Sequence, residues 1–449
     1  MKQYGYGILN GMKAKKISTP KVIADPIYGI IDIRPVLAMV ETPEFQALGD
    51  KRQLGMAYIT FPSATHSRKV HSLGSYHATQ MLADSWVKRG FINEKEALAL
   101  AGYALYHDIG HPAFSHVTES LCELPPGAPR GMSMNGAMSS IIIDRRKKEI
   151  EATGISFKLL RDIARHDNPL YKAVSDKNLG MEKLDYLERD SLYTILSRPV
   201  GIEYLRNHIY FIDGTIAIDE KIVDNAIDIQ NFYLKIYKNV YLRKTSAIAQ
   251  RMMQKMVHQL IRDGELTPAD LADFTDSELL GIMRLSKNGF VKKMYSLLRA
   301  RDLFREAIIV RPKKFANGET HAGKALTIIG ASDAEMRRLQ KNPEFDFKNQ
   351  AGLKKLENEI ANIAGLPEDS VLVTPIVSTE RFEGKDIMIH QGHGQKLASL
   401  KARYPAHFKN MQEVAESYIT FRVCTTEKYR KILSAPKTAK KIFALLTSH

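Results

Sequence analysis

The stretch "ALYHDIGHPAFSH" (residues 104–116) places three histidines and an aspartate at the end of an apolar run. The adjacent pair His107 and Asp108 stands where the core pattern stops, at the end of a predicted helix. Side chains on successive helical residues lie about 100° apart around the axis, so both can reach one cation beyond the terminus. Two interpretations follow: a buried polar pair near a turn, or a metal site.

A second pair of the same composition serves as an internal comparison. His166 and Asp167, within "ARHDN", have no Gly-His sequence after them and no partner motif nearby. We interpret that pair as part of a loop or a helix cap.

Partner motifs accompany only the first pair. Upstream, "FPSATHSRKVHSLGSYH" (61–77) puts His71 in a helical segment beside Arg68. Downstream, "LGMEKLDYLERDS" (179–191) is a helical run whose acidic residues are Glu182, Asp185, Glu188 and Asp190. Two histidines, an aspartate and a distal carboxylate form an N/O ligand set that suits Mn, Fe, Zn, Ni or Mg. Such a set leaves positions for water, which a metal can activate as a nucleophile.

Composition narrows the class of protein. The 449 residues carry a net charge of +15, which favours anionic partners such as nucleotide phosphates or nucleic acid, although a lysine-rich surface explains it equally. Cys122 and Cys424 are too few for a disulfide framework and favour a reducing compartment. With no signal-peptide pattern and no apolar run of about 20 residues, we expect a cytoplasmic protein without a membrane partner.

The pattern along the chain predicts a mainly α fold. "KVIADPIYGIIDI" (21–33) predicts a β-hairpin within an N-terminal segment, 1–34. Helical spacing dominates 35–310, and after a break at 311–323 short β-branched runs surround one helix at about 350–364. We therefore predict a helical domain over 35–310 and an α+β region over 311–449.

Local signals refine the helical domain. Residues 231–264 read as one long helix ended by Gly264, and the next helix is predicted to begin with Thr267 as cap and Pro268 at its first position. The Pro- and Gly-rich residues 124–136 predict a loop. Three tyrosines at i,i+4 spacing are interpreted as core packing, with a ligand-binding group as the alternative: Tyr233, Tyr237 and Tyr241.

The motifs "ATHSRKVHSLG", "YHDIGHPAFSH" and "KLDYLERDS" resemble, in order and spacing, those of HD-domain phosphohydrolases, in particular the deoxynucleoside triphosphate triphosphohydrolases. The similarity extends from "DPIYGIIDI" through "IYKNVYLRKTS". It implies an HD-domain helical core, a homo-oligomer, and an enzyme that cleaves a dNTP to nucleoside and tripolyphosphate with a divalent metal.

The resemblance also implies a role for individual positions. His71, His107 and Asp108 match metal ligands, and Glu182 stands where the family has its fourth ligand, an aspartate. Asp185 is the second candidate for that ligand, with a structural hydrogen-bond acceptor as its alternative role.

The remaining matched positions lie around the substrate. His111 and His116 match histidines near the phosphates, where His111 is a candidate proton donor or else a buried core histidine. Arg68 and Lys183 match phosphate-binding residues, with an ordinary surface cation as the alternative for each. The positions that match deoxyribose contacts are Gln53, Tyr186 and Asp190.

Departures from the family pattern leave two further functions open. Asn135 stands near the place where relatives have a candidate general acid, and "ALGD" (47–50) replaces arginines of a nucleotide effector site. One alternative is a phosphohydrolase of another phosphoester, such as a ribonucleotide, a signalling nucleotide or single-stranded nucleic acid. The other is a catalytically degenerate regulator that binds nucleotide or nucleic acid.

Overall fold

The computed structural model describes residues 19–124, 126–129, 131–316, 325–377, 384–392 and 397–448. Within these ranges the chain is mainly helical, with small sheets at several places along it. The predicted class, a mainly α protein with an HD-domain helical core, an N-terminal hairpin and an α+β C-terminal region, is confirmed. The first 18 residues of the predicted N-terminal segment lie outside the described residues.

The predicted hairpin is present at the start of the described chain. Strands β1 (Val22–Asp25) and β2 (Gly29–Asp32) pair antiparallel. The Asp25 carboxylate accepts the turn N–H of Tyr28 at 3.1 Å, and Gly29 supplies a left-handed residue with φ of +75°. The Asp25 side chain thus accepts a backbone N–H group of the turn that follows its own strand.

The first part of the helical core is built around α3, which packs against α4 and α9. Its helices are α1 (Leu37–Val40), α2 (Pro43–Ala47), α3 (Arg68–Lys88), α4 (Glu94–Tyr106), α5 (Met134–Arg145), α6 (Lys147–Ala152), α7 (Phe157–Ala164), α8 (Lys172–Ser175), α9 (Met181–Thr194) and α10 (Ile202–Arg206). A capping box of Asn93 and Glu96 begins α4. Because α4 ends at Tyr106, the His107–Asp108 pair follows a helix end as expected.

The second part of the core corrects one expectation. Its helices are α11 (Val223–Ile236), α12 (Lys244–Arg262), α13 (Asp270–Asp273), α14 (Asp276–Leu285) and α15 (Gly289–Arg299). The prediction of a single helix over 231–264 is wrong, because a π-helical turn at Tyr237–Tyr241 is followed by Arg243 with an extended ψ of 122°. The stop at Gly264 is confirmed by its φ of +70°.

Two helix starts also differ from expectation. The end of the predicted loop 124–136 is helical, since Ser133 caps α5 by accepting the N–H of Gly136 at 3.1 Å. Thr267 accepts the N–H of Asp270 at 3.4 Å, but α13 starts at Asp270 after a turn rather than at Pro268.

A hairpin interrupts the region that was expected to be helical. Strands β3 (Ile209–Ile212) and β4 (Thr215–Asp219) pair antiparallel across Asp213 and Gly214, which have φ of +47° and +73°. An Asp-Gly pair between apolar runs is a strong hairpin signal. The hairpin was therefore predictable from the sequence, and the helical assignment of this segment is wrong.

The C-terminal part contributes strands to two sheets, and its described residues form more helices than the one expected. Its strands are β5 (Arg305–Pro312), β6 (Thr327–Ala331), β7 (Val371–Thr374), β8 (Met388–His390), β9 (Leu397–Ser399) and β10 (Phe421–Thr425). Its helices are α16 (Lys313–Ala316), α17 (Asp333–Lys341), α18 (Gln350–Ala364), α19 (Leu400–Arg403), α20 (Pro405–Glu416), α21 (Arg430–Leu433) and α22 (Pro436–Ser448).

Strand pairing connects the C-terminal part to the helical core. One sheet has the order β6-β5-β10-β7, while β8 pairs in parallel with β4 to give a second sheet, β3-β4-β8-β9. The helix expected at about 350–364 corresponds to α18. The domain boundaries after residues 34 and 310 stay predictions, and β5 runs through the second of them.

Buried apolar side chains form a large group around α3, α4 and α9, a second around α12 and α15, and a third between α18, α22 and the β5–β10 sheet. Across the described ranges, no helix combines the length and apolar character that crossing a membrane requires. The first and second groups border the loop after α4, which carries the candidate site.

Candidate metal centre and substrate pocket

His71, His107 and Asp108 meet in a buried space between α3 and the end of α4. Their ligand-type atoms all lie within 4.8 Å of one another. His71 Nε2 lies 3.3 Å from His107 Nε2 and 3.8 Å from Asp108 Oδ2. The fold therefore places His71 against His107 and Asp108, which follow it by 36 and 37 positions in the sequence.

Hydrogen bonds fix which nitrogen of each histidine faces this space. His107 Nδ1–H donates to the backbone carbonyl of Ala104 at 2.7 Å, because a carbonyl can only accept. His71 Nδ1–H donates to Asp185 Oδ2 at 2.7 Å. In the neutral tautomers both Nε2 atoms then carry lone pairs, as metal-ligating histidines do.

Two facing lone pairs beside a carboxylate require a positive charge between them. Burial opposes a proton on His71, but the carboxylates of Asp185, Asp108 and Glu182 outweigh it and raise the pKa of His71. The donor set of two imidazoles and a carboxylate fits a borderline divalent cation. The residues present therefore fit a metal ion.

A buried chain of charged groups supports His71 from behind. Asp185 Oδ1 accepts from Arg189 Nη2 at 2.9 Å, and Arg189 Nη1 donates to Asp25 Oδ2 at 2.8 Å. Burial raises the pKa of Asp185, but Arg189 and His71 outweigh it and lower that pKa to about 2. These charged side chains lie against α3 at Gly74, where an added Cβ would be 2.0 Å from Asp185 Oδ1.

The two candidates for a fourth ligand occupy different places. Both carboxylate oxygens of Asp185 accept hydrogen bonds, from His71 Nδ1 and from Arg189. Asp185 therefore lies on the side of the His71 ring opposite to Nε2. Glu182, half-buried one turn earlier in α9, interacts electrostatically with His71. Among the described residues the compact ligand group contains neither of them, so the fourth ligand stays a prediction.

Asp108 is surrounded by cationic and amide groups. Arg68 Nη1 contacts its Oδ2, while His111 Nε2 and Asn135 Nδ2 lie 3.2 and 3.3 Å from its Oδ1. Burial raises the pKa of Asp108, but the Arg68 guanidinium and the neighbouring histidines hold it well below its usual range. Asn135, which the sequence marked as a departure, therefore lies directly against a candidate ligand.

His111 and His116 are placed very differently. His111 is buried, and burial together with Arg68 lowers its pKa to about 3, so the ring is neutral near pH 7. His116 has a side chain that is 73% exposed and pairs with Glu119 at 2.7 Å. The two rings are edge to face at 4.9 Å, so His116 borders the site from the solvent side.

On α9, Lys183 and Tyr186 face the tyrosines of α11 and the π turn. Lys183 Nζ donates to the carbonyl of Lys177 at 2.6 Å and lies 3.6 Å from the Tyr233 ring centre. Burial lowers the pKa of Lys183 to about 7. The Tyr186 ring lies 6.4 Å from the ring of His71, between the metal-ligand group and the tyrosines.

Asp190 lies further along α9, towards the C-terminal end of the helix. Its carboxylate pairs with His66 Nε2 at 2.9 Å and accepts from the Tyr241 hydroxyl at 2.5 Å. Gln53 N–H donates to the carbonyl of His66 at 3.0 Å, which places Gln53 beside the same group. Gln53 Oε1 is buried and makes no hydrogen bond within the described residues, so a ligand hydroxyl or amide could satisfy it.

Sequence reasoning missed two contributors to the group of residues around Lys183 and Asp190. Tyr233, Tyr237 and Tyr241 form a ladder of ring contacts at 4.7 and 4.9 Å that reaches Lys183 and Asp190, so core packing is an incomplete interpretation. Their i,i+4 spacing was the available signal. His66 was passed over although it stands within the same motif as Arg68.

The second His-Asp pair lies elsewhere. His166, with φ of +65°, sits in the turn after α7 and stacks on Tyr171 with ring centres 3.9 Å apart. It has no part in the compact ligand group. The structure thus places this pair in a turn, as the sequence interpretation expected.

Comparisons with known proteins found one matching family and several similar proteins. A family described as "HD associated region" matches residues 200–329. A Dictyostelium discoideum protein named as a deoxynucleoside triphosphate triphosphohydrolase SAMHD1 homolog is 26% identical over 363 residues, covering 73% of this chain and 69% of that protein. An uncharacterised protein of Methanocaldococcus jannaschii is 28% identical over 281 residues, covering 61% of this chain.

A solved structure extends the likeness to the fold. The crystal structure of a phosphohydrolase from Bacteroides thetaiotaomicron superposes with a TM-score of 0.65 at 20% identity, covering 91% of this chain and 100% of that one. Fold and site together define an HD-type helical domain. The chain is similar to HD-domain proteins, among them proteins named as deoxynucleoside triphosphate triphosphohydrolases. It spans 57% of the length of the archaeal relative, so the shared region is part of that protein.

Proposed function

We propose that this protein is a metal-dependent phosphohydrolase that cleaves a deoxynucleoside triphosphate to nucleoside and tripolyphosphate. The observation that carries the proposal is the pair of Nε2 atoms of His71 and His107, 3.3 Å apart beside Asp108. The similarity to the Dictyostelium relative, and the activity in that protein's name, support the reaction and the substrate.

A divalent metal held by His71, His107, Asp108 and Glu182 would supply Lewis-acid activation of water and of a phosphate oxygen. The chain's own residues orient the ligands. Asp185 holds the His71 ring through Nδ1, and the Ala104 carbonyl does the same for His107. With Nδ1–H donating in each ring, the Nε2 atom of each histidine is the one directed at the proposed metal.

Cations near this group would bind the triphosphate. Arg68 is 3% exposed and lies against Asp108, so its guanidinium is positioned to donate to phosphate oxygens once a cation offsets that carboxylate. Lys183, which follows Glu182 in α9, would neutralise charge that develops on the phosphates. His111 and His116 stand next to this end of the site.

The sugar would occupy the space between Tyr186 and the Gln53–Asp190 group. Gln53 Oε1 and the Asp190 carboxylate are acceptors for a ribose 3′-hydroxyl. The Tyr186 ring beneath the sugar would crowd a 2′-hydroxyl and favour the deoxy form. A homo-oligomeric assembly and binding of nucleic acid by the basic surface remain predictions, as does a cytoplasmic location.

Two other functions remain as candidates. Asn135 in place of the family histidine, 3.3 Å from Asp108, favours either a different phosphoester substrate or a degenerate nucleotide-binding regulator. The three proposals differ in metal content and in products, so one experiment separates them.

The purified chain would be analysed for metal by plasma mass spectrometry and incubated with dNTPs, ribonucleotides, cyclic dinucleotides and single-stranded oligonucleotides. We expect bound divalent metal, deoxynucleoside on chromatography and an equimolar amount of tripolyphosphate. Cleavage of a different panel member establishes the first alternative. Nucleotide binding without turnover at any metal tested establishes the regulator. His107→Ala is the matched negative control throughout.

A further inference from the structure

The loop that follows the His107–Asp108 pair, residues 111–118, adopts a backbone that its sequence does not favour. Phe114 and Ser115 are consecutive residues with φ of +56° and +55°, and neither is glycine. L-residues avoid this left-handed region unless the surroundings hold them there. The contacts that hold the loop come from residues far away in sequence.

A buried carboxylate holds the middle of the loop. Asp276, the first residue of α14, is 1% exposed. Its Oδ1 accepts the backbone N–H of Phe114 at 2.6 Å, and its Oδ2 accepts the backbone N–H of Arg52 at 3.0 Å. One side chain therefore fastens the loop to the segment that precedes α3.

A buried lysine holds the start of the loop. Lys51 is 4% exposed, and its Nζ donates to the carbonyl of His111 at 2.7 Å and to that of Ala272 at 2.9 Å. The backbone N–H of Ala113 also donates to the carbonyl of Leu271 at 3.2 Å. The Lys51 ammonium thus donates to backbone carbonyls, while the Asp276 carboxylate accepts backbone N–H groups and lies 3.7 Å from Arg52 Nη1.

The loop conformation fixes two contacts to the candidate ligand Asp108. Ser115 Oγ accepts from Arg68 Nε at 2.5 Å and donates to the carbonyl of Arg52 at 3.1 Å. Arg68 in turn contacts Asp108, and His111 Nε2 lies 3.2 Å from it. A shift of the loop would move both contacts together.

We propose that Lys51 and Asp276 are positioning residues of the candidate active site, which hold loop 111–118 in its left-handed turn and thereby align Arg68 and His111 on Asp108. The effect on turnover rests on the proposed function, whereas the effect on loop order does not. Neither residue was indicated by the sequence patterns, because each acts through backbone groups of distant segments.

The test uses Asp276→Asn and Lys51→Met in the full-length chain. An asparagine offers one acceptor oxygen where Asp276 offers two, and a methionine removes the donor while keeping the length of Lys51. We expect amide exchange in peptides covering 111–118 to accelerate at least about 10-fold. We expect kcat to fall about 10- to 100-fold with metal content unchanged, since a small misplacement of groups around reacting atoms is costly.

Matched controls separate positioning from general destabilisation. Asp333 is also the first residue of a helix with a capping box, α17, but is exposed, so Asp333→Asn removes the same helix-start charge without touching the loop. Lys172 likewise donates to a backbone carbonyl, that of Gly214 at 2.7 Å, so Lys172→Met is the control for Lys51. Both controls should leave loop exchange and kcat at wild-type values.

Coupling to Ser115 tests the route of the effect. If the carboxylate acts through the Ser115–Arg68 contact, Asp276→Asn combined with Ser115→Ala should lose no more activity than the worse single variant. Multiplicative losses would overturn that route. Lys51→Arg, which keeps the cation, should retain part of the activity that Lys51→Met loses. If Lys51→Met does not fold, loop exchange and kcat of Lys51→Arg and Asp276→Asn test the proposal.

The outcomes of the two proposals stay distinct. Unchanged exchange in 111–118 for both Asp276→Asn and Lys51→Met overturns the positioning proposal whether or not the enzyme is active. An inactive wild-type chain overturns the proposed function alone, because faster loop exchange in the variants would still support the positioning of the loop.

Discussion

At the scale of single residues, the two histidines of the ligand group differ in what orients them. His107 donates to a backbone carbonyl, which no substitution can remove, whereas His71 donates to the side chain of Asp185. Asp185 is held in turn by Arg189. We therefore expect the ligand group to be sensitive to substitutions behind His71 and insensitive to substitutions behind His107.

Removal of a ligand should empty the site. His107→Ala and Asp108→Ala should each abolish metal binding and turnover, because one missing ligand breaks the coordination geometry. Metal analysis and activity of the purified variants check this. His166→Ala, in the second His-Asp pair, is the control and should keep both. Full occupancy in either ligand variant would contradict the metal assignment.

Glu182 and Asp185 should differ in severity. Glu182→Gln should cost metal affinity heavily because it removes an anion beside a divalent cation, while Asp185→Asn should cost about 10- to 100-fold through loss of His71 orientation. Glu182→Asp, which restores the family residue, should retain metal. Competitive chelator titration gives the rank order. The reverse order would move the fourth ligand one turn along α9.

At the scale of secondary-structure elements, the approach of α3 to α9 decides whether the support behind His71 can form. Gly74 lies on α3 where Asp185 and Arg189 of α9 come closest. An added Cβ would stand 2.0 Å from Asp185 Oδ1 and 2.2 Å from Arg189 Nη2. Both groups are buried and paired, so they cannot move aside without losing a hydrogen bond.

Gly74→Ala should therefore destabilise the fold by about 1–3 kcal/mol and weaken metal binding, as overpacking of a close contact does. Urea denaturation and metal titration measure the two effects. The control is Gly281→Ala in α14, where nothing lies within 4 Å of the new Cβ. The free energy of unfolding of that variant should rise by up to about 1 kcal/mol, because alanine has a higher helix propensity than glycine. Equal behaviour of the two variants would exclude a role for the close approach.

At the scale of the whole molecule, a buried ionic network joins the helical core to the C-terminal part. Glu357 on α18 lies 3.3 Å from Arg251 Nη2 and 3.0 Å from Lys255 Nζ, both on α12, and all three are buried. Arg251 Nε also donates to the carbonyl of Val373 in β7 at 3.0 Å. Glu357 is therefore an anion shared by two buried cations at this junction, and Lys255 Nζ also lies 3.2 Å from Asp369 Oδ1.

Glu357→Gln should lower the free energy of unfolding by about 3–5 kcal/mol, because it removes the counter-charge of buried Arg251 and leaves Lys255 with Asp369 alone. Chemical denaturation of the full chain provides the measurement. Glu151→Gln is the control, since Glu151 pairs with Lys147 at 3.8 Å with both side chains more than half exposed. An exposed pair contributes at most about 1 kcal/mol. A small effect of Glu357→Gln would mean that the junction relaxes or admits water.

Elements with local signals were predicted best. The hairpin with Asp25, the helix end at His107, the stop at Gly264 and the helix α18 all follow from spacing and capping residues near the element itself. The broken helix at 237–243 and the C-terminal strand order were not predicted. The break depends on backbone geometry at a π turn, and strand order depends on partners more than 100 residues away.

The sequence by itself determined the candidate ligands, because a His-Asp pair at a helix end and a partner histidine one motif earlier are local features with their own spacing. Tertiary structure decided which atoms face one another. Asp185 turned towards His71 Nδ1 and Arg189, and Asp190 towards His66 and Tyr241, through packing of α3, α9 and the π turn. A carboxylate looks the same in any sequence, and its role depends on which donor the fold brings within about 3 Å of it.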